Sequence, residues 1–423
     1  MYDFIKNFNA FCWSGPMLII LLSTHILLTA RSSLIQRKVW KGIKLSLGRE
    51  HGFSILATTL AATLGTGNII GVSTAIALGG PGALLWCFVT GFLGMATTYY
   101  ECYLASAYKT EHGGGPMYIL KNVLNKKCLG FIYALFLLLV CLGTGCLTQS
   151  NAVADSFRKT LGIHPVVTGL IVSLIAGFVI VGGKKSIMKV CEKVVPVMCI
   201  IFIVCCIYLL ILNAYYIPQS LYLIFTKALT PGSVTGGIAG GSLMCAARYG
   251  IARGLFTNEA GLGSAGVFAG TSTLPPKEQG LISMTATFWD TIVICTITGL
   301  VIISSYLANP ASIDGYSVGG YLNAAFSSIP YAGNLLLCLS IAGFAVSTII
   351  GWFFIGEQAA TFIFGAQKDR ALPYIKALYV FMVFSGCNFS LEKIWEIADT
   401  FNLLLIIPNV YVLIRLSSKH RQM

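Results

Sequence analysis

The chain has 423 residues, of which 56% are hydrophobic and only 10% charged, with a mean hydropathy of +0.80 and a formal net charge of +13. A soluble domain is about a quarter charged, so this composition excludes a soluble globular protein and points to an all-α integral membrane protein. The basic excess does not read as a nucleic-acid surface, because Lys and Arg collect in alternate loops, at 31–50, 109–127, 184–193, 368–376 and in the tail from Arg415.

About 20 apolar residues cross a hydrocarbon core of ~30 Å. By that rule about eleven spans are expected, at 12–31, 53–79, 82–107, 130–154, 165–182, 195–213, 236–268, 281–305, 332–364, 373–388 and 394–415. The first is a retained span and not a signal peptide, since its charge follows the apolar run, at Arg31, Arg37 and Lys38. The positive-inside rule puts the N-terminus outside and the C-terminus in the cytoplasm, as an odd span count requires.

The span at 53–79 carries Gly65-Thr66-Gly67-Asn68-Ile69-Ile70-Gly71, and the span at 236–268 carries Gly254-Leu255-Phe256-Thr257-Asn258-Glu259-Ala260-Gly261-Leu262-Gly263. An unpaired backbone amide in a bilayer costs several kcal/mol, so broken helices persist there only where they line a cavity or bind something. If the first span is set aside, the two interrupted spans are the first and sixth of ten. That spacing fits two inverted five-helix units, repeat 1 at about 53–213 and repeat 2 at about 236–415, within one transmembrane domain covering 1–423 and preceded by an extra helix at 12–31. The bland alternative is that the glycines merely let intact helices pack closely.

In the first break Gly65 and Gly67 are expected to supply backbone angles that other residues resist. The half-helix restarting near Ile69 would turn its positive dipole end toward a carboxylate, and carbonyls freed between Ala61 and Leu64 would suit a hard cation. In the second, Thr257 and Asn258 offer neutral oxygens, Phe256 an apolar wall, and Glu259 an acid at membrane depth. Glu259 is alternatively a cap for the second half-helix. Arg248 and Arg253 are gate candidates, or snorkel to an interface. Further polar residues interrupt apolar runs: Gln149 and Asn151, Asp290, and the pair Thr348 and Trp352, four apart on one helix face. Glu101 and Glu357 read as helix-end or gate charges. The 14 cysteines sit mostly in apolar runs and read as small fillers, without disulfides, metal or cofactor.

These same motifs resemble the alanine or glycine:cation symporters, the sodium:alanine or sodium:glycine symporters of bacteria and archaea. The resemblance is carried by 65–69, by Ala75 to Ala83, by Gly114-Gly115-Pro116-Met117-Tyr118, by Gln149-Ser150-Asn151, by Arg253 to Ala265, by Asp290 to Thr296 and by Thr348 to Trp352, and runs from Trp13 to about Leu416. Gly266-Val267, where the family usually has Pro followed by a small or branched residue, and Ser73, where it usually has Ala, depart from it. The resemblance implies a leucine-transporter-like 5+5 inverted repeat with one helix in front, in a cytoplasmic membrane, taking up alanine or glycine with Na⁺. It implies that Thr66, Gly67 and Asn68 meet the substrate or its ion, that Gln149 faces the substrate amine or carboxylate, that Phe256 and Trp352 cap the substrate side chain, and that Thr348 reaches the amine or a sodium ion. By analogy with the wider fold, Asn68, Thr257 and Asp290 would form one Na⁺ site. Ala61 and Leu64 carbonyls with Ser347 and Thr348 would form another. Proton coupling, a membrane enzyme and a channel remain as rival readings, and the sequence leaves oligomeric state open.

Overall fold

The structure is a computed structural model describing residues 7–420 except 10, 14, 50, 231–241 and 390, with backbone alone at 391–399 and 420. The start of the expected span at 236–268 therefore lies outside the described residues.

The described residues are helical apart from turns and one isolated bridge between Thr110 and Gly113. In chain order the α-helices are α1 (Pro16–Arg31), α2 (Val39–Gly48), α3 (Gly52–Thr63), α4 (Ile70–Gly79), α5 (Ala83–Ala107), α6 (Pro116–Asn122), α7 (Lys127–Leu142), α8 (Thr148–Leu161), α9 (Pro165–Val181) and α10 (Gly183–Leu212). After them come α11 (Ile217–Leu229), α12 (Leu243–Asn258), α13 (Ser264–Ala269), α14 (Pro276–Thr287), α15 (Thr296–Ala308), α16 (Tyr321–Phe326), α17 (Gly333–Phe364), α18 (Lys368–Gly386) and α19 (Leu391–Ser417). Their punctuation is local: Pro16, Pro116, Pro165 and Pro276 open helices where a missing N–H does no harm. Gly162, with φ of 68°, closes α8 in the left-handed region.

Each of the eleven expected spans has a helical counterpart. Seven helical stretches among the described residues are long and apolar enough to cross a membrane, and the bent pair 52–79 makes an eighth. The count falls short of eleven for three reasons. The run Gly333–Gly386 joins two expected spans, Pro165–Val181 is slightly too short at 17 residues, and α12 and α13 are separated by a turn. Single π-helical stretches at Gly143–Leu147 and Phe288–Cys295 interrupt α7–α8 and α14–α15; such bulges are frequent at functional sites. α12 packs on α4 and α5, while α17 packs on α3, α8 and α10, so the two interrupted helices lie against each other and against intact neighbours.

Candidate functional site

The first break lies where the sequence puts it. α3 ends at Thr63, a single 3₁₀ turn covers Thr66–Asn68, α4 restarts at Ile70, and the two halves bend by 65°. An unbroken helix would give the Gly65 and Thr66 amides to the carbonyls of Ala61 and Ala62. Instead the Gly65 amide donates to Asn68 Oδ1 at 3.1 Å and the Thr66 amide to Gln149 Oε1 at 3.1 Å. The expected reason for Gly65 is corrected. Its φ of −125° and ψ of −159° are ordinary extended values, but a Cβ would sit 3.0 Å from Gln149 Oε1 and 3.1 Å from Thr348 Oγ1. A side chain here would press on Gln149 and Thr348, so the glycine leaves room for them. Gly67 likewise makes room, for Thr257 Cγ2 at 2.8 Å and Phe256 Cδ1 at 3.2 Å from its would-be Cβ.

The second break occupies only the last part of the expected run 254–263. α12 continues without interruption through Phe256, Thr257 and Asn258, and the chain opens only at 259–263. Here conformation requires the glycines: Gly261 and Gly263 have φ of 107° and 84°, and Glu259 itself adopts 55°.

Several expected residues converge on the first break. Asn68 Nδ2 donates to Asp290 Oδ1 at 2.7 Å and to the Asp290 carbonyl at 3.2 Å, and approaches Cys295 Sγ at 3.3 Å. Thr291 Oγ1 donates to the other Asp290 oxygen at 2.6 Å. Asp290 is fully buried, and none of the ion pairs among the described residues involves it. Thr257 turns its methyl toward Gly67, while its hydroxyl donates within its own helix, to the carbonyls of Arg253 and Gly254. On the opposite side Thr348 Oγ1 reaches the Leu64 carbonyl at 3.0 Å, and Ser347 Oγ donates to the Phe344 carbonyl at 2.9 Å. Gly351, one turn along α17 from Ser347, packs directly on the backbone of Ala61 and Ala62. The Thr66 hydroxyl is buried with no hydrogen-bond partner.

Others stand apart. Asn151 Nδ2 donates to the carbonyls of Gly386 and Phe389, tying α8 to the end of α18 and away from the break. Asn258 Oδ1 accepts the Ala260 amide, and the side chain lies against Gly94 of α5. Trp352 Nε1 donates to Glu259 Oε1 at 3.0 Å, and its indole packs on Gly145 in the first π-stretch. The three gate candidates are not together. Arg253 lies over the Phe256 ring and beside Gly71 of α4, Arg248 lies over Tyr249, and Glu259 sits at the far end of α12. Glu259 Oε2 accepts from Ser264 Oγ at 2.7 Å, at the first residue of α13.

Of the residues that hold the second break, Glu101 is expected only as a helix-end or gate charge, and Asn409 and Tyr133 escape sequence reasoning. Glu101 Oε1 accepts the Gly261 and Gly263 amides at 2.9 and 3.1 Å and Asn409 Nδ2 at 2.6 Å. Asn409 also donates to the Gly261 carbonyl, and Tyr133 Oη donates to the Leu262 carbonyl. The available signal was Asn409 itself, a lone amide in the apolar run Leu403 to Leu413.

A helical membrane protein with two interrupted helices packed against each other, and buried polar side chains that take up the backbone amides freed at both gaps, belongs to the broken-helix class of secondary transporters. The profile of the sodium:alanine symporter family matches residues 1–423, and the chain belongs to that family. It is 39% identical to the sodium/alanine symporter AgcS of Methanococcus maripaludis, over 98% of this chain and 94% of that one. It is 37% identical to an uncharacterized transporter of Haemophilus influenzae, over 97% and 93%. Identity to the probable sodium/glutamine symporter GlnT of Bacillus subtilis is 32%, over 97% and 87%. The fold matches the crystal structure of MhsT in complex with L-phenylalanine at a TM-score of 0.65, with 14% identity over 87% of this chain and 89% of that one. It also matches a Na⁺-coupled sialic acid symporter at 0.59, with 14% identity over 92% and 82%. The fold is thus the leucine-transporter-like one expected, and the protein is a multi-pass membrane transporter and not an enzyme.

Proposed function

We propose that this protein carries alanine or glycine into the cell together with Na⁺, by alternating access around the first break. The single observation that carries this reading is the polar lining of that break, where Asn68 and Gln149 side chains stand in for the lost helical hydrogen bonds. The Gly65 and Thr66 amides have left the helix ladder, and the buried Thr66 hydroxyl has no partner. The start of α4 directs its positive end at the same place. Together these suit a carboxylate. Asp290, held by Asn68 and Thr291 and in none of the ion pairs among the described residues, suits a Na⁺ bound through oxygen. The Leu64 carbonyl with Thr348 suits a second ion or the amine. Gln149 orients the opened backbone.

Room argues for a small side chain. Phe256 and Thr257 already touch the Gly67 backbone, which supports alanine or glycine over a longer substrate such as glutamine. A cation near the substrate carboxylate stabilises it, and by linkage the substrate stabilises the cation equally. In this reading Arg253, beside α4, guards the outer path, with the N-terminus outside and the C-terminus in the cytoplasm of a bacterial or archaeal cell. The two five-helix units are the moving parts.

The test is uptake of radiolabelled alanine and glycine into proteoliposomes under an inward Na⁺ gradient, an inward H⁺ gradient, or neither. Na⁺-driven accumulation is expected, with Asn68→Ala losing at least about tenfold in apparent Na⁺ affinity, since one charge-assisted hydrogen bond to Asp290 is worth about 1.5–3 kcal/mol. Accumulation driven by H⁺ alone would replace the ion, and glutamine outcompeting alanine would replace the substrate.

A further inference from the structure

A groove of about 850 Å³ runs between α9 and α18 on the outer face of the bundle, remote from both breaks. The two helices are antiparallel neighbours there: Gly169 meets Phe384, and Gly177 meets Val380. The α9 wall extends from Leu170 to Val181, about 16 Å at 1.5 Å per residue. That is about half of a ~30 Å hydrocarbon core, one leaflet deep. Apart from Ser173 the lining is apolar until the start of α18, where Lys376 and Asp369 join it. That end of α18 has the composition of a membrane surface: Lys368, Asp369 and Arg370 are exposed, and Tyr374, 79% exposed, is the residue type of an aromatic belt.

Lys376 and Asp369 are seven residues apart, two turns on one face, about 10 Å along the helix. Their order in depth is fixed. Counting outward, the groove offers hydrocarbon, then a cation, then an anion. A phospholipid whose headgroup ends in a primary ammonium presents the matching order of acyl chain, phosphate and ammonium. We infer that this groove is a specific site for one phosphatidylethanolamine molecule, its phosphate on Lys376 and its ammonium on Asp369. Glu357 also lies in electrostatic reach of Lys376, but it shares Lys368 and Lys184 as well, so the local balance stays basic and leaves Lys376 able to take a phosphate. Phosphatidylglycerol would bring its phosphate to Lys376 but no cation to Asp369. Phosphatidylcholine brings a quaternary ammonium with no N–H to donate.

The experiment is native mass spectrometry of the purified full chain with an equimolar mixture of the three lipids, matched in acyl chains. Retention of a single phosphatidylethanolamine about fivefold over each competitor is expected, the size of one or two partly exposed charge pairs. Asp369→Asn should erase the preference over phosphatidylcholine, and Lys376→Gln should weaken retention of all three. Equal or stronger retention of phosphatidylglycerol by the parent would overturn the site, as would a preference that survives both substitutions. A dimer that Lys376→Gln dissociates would instead make the groove a contact between copies. Both changes lie on the lipid-facing surface, so folding is monitored simply by retained monodispersity, and transport need not be assayed.

Discussion

Two glycines in this protein look alike in sequence and fail for different reasons when replaced. Gly65 has an ordinary backbone conformation, and its would-be Cβ meets only the ends of Gln149 and Thr348, side chains that can yield by a few tenths of an ångström. Gly65→Ala should therefore leave the fold intact while displacing Gln149 from the Thr66 amide. The expected effect is a rise of about tenfold in the alanine KM, the worth of roughly one hydrogen bond, with little change in melting temperature. Gly263 holds φ at 84°, and a Cβ there would sit 2.6 Å from both Pro116 Cγ and Tyr133 Oη. Gly263→Ala should destabilise by about 2 kcal/mol or more, lowering melting temperature and yield before any kinetic effect is read. If Gly65→Ala instead melts early with an unchanged KM, the first break is a packing feature and not a binding one.

At the scale of elements, the second interruption depends on a helix that is itself unbroken. Glu101 of α5 accepts two turn amides, and Asn409 of α19 bridges the same carboxylate and the Gly261 carbonyl, so three elements meet in one polar knot. All three donors converge on Oε1, while Oε2 is buried without a partner. A glutamine carbonyl can accept what Oε1 accepts. Glu101→Gln is thus expected to stay within about 1 kcal/mol of the parent in stability. Glu101→Ala strands three buried N–H groups at about 1–3 kcal/mol each and should abolish uptake. Equal loss in both variants, followed by thermal unfolding and alanine uptake, would mean that the charge itself is needed. This knot also marks where the sequence stopped being legible. The first break could be read because Gly, Thr and Asn cluster inside one apolar run. The exact opening of the second could not, since Phe256, Thr257 and Asn258 carry helix and turn signals equally well, and the residue that decides the matter, Glu101, lies on a helix 160 positions away in sequence. Likewise Gln149 and Asn151, two residues apart, necessarily face different directions on a helix. Which of the two meets the break depends on how α8 is rotated against α17 and α18, and only Gln149 does.

Across the whole molecule, the charge pattern and the helix order make one claim about sidedness, and native cysteines can test it. The segment α7–α8 crosses from an end marked by Lys126 and Lys127 to an end marked by Arg158 and Lys159. The first end belongs to the basic set and should be cytoplasmic. Cys128 is exposed at that end, and Lys159 is exposed at the other, paired with Asp155 on a solvated surface where the ion pair is worth little. A membrane-impermeant maleimide applied to intact cells should therefore spare Cys128 and label Lys159→Cys, with peptide mapping separating the two from the partly exposed Cys12, Cys199 and Cys245. Lysis should expose Cys128. If this pattern holds, α3 enters from the cytoplasm and α12 from outside, since four intact crossings lie between the two broken spans and an even number of crossings returns the chain to the side it left. α3–α4 and α12–α13 would then run in opposite directions through the bilayer, as inversion of the two five-helix units demands. Labelling of Cys128 in intact cells would reverse the topology but preserve that opposition; labelling of both positions from outside would remove a crossing and with it the inverted repeat.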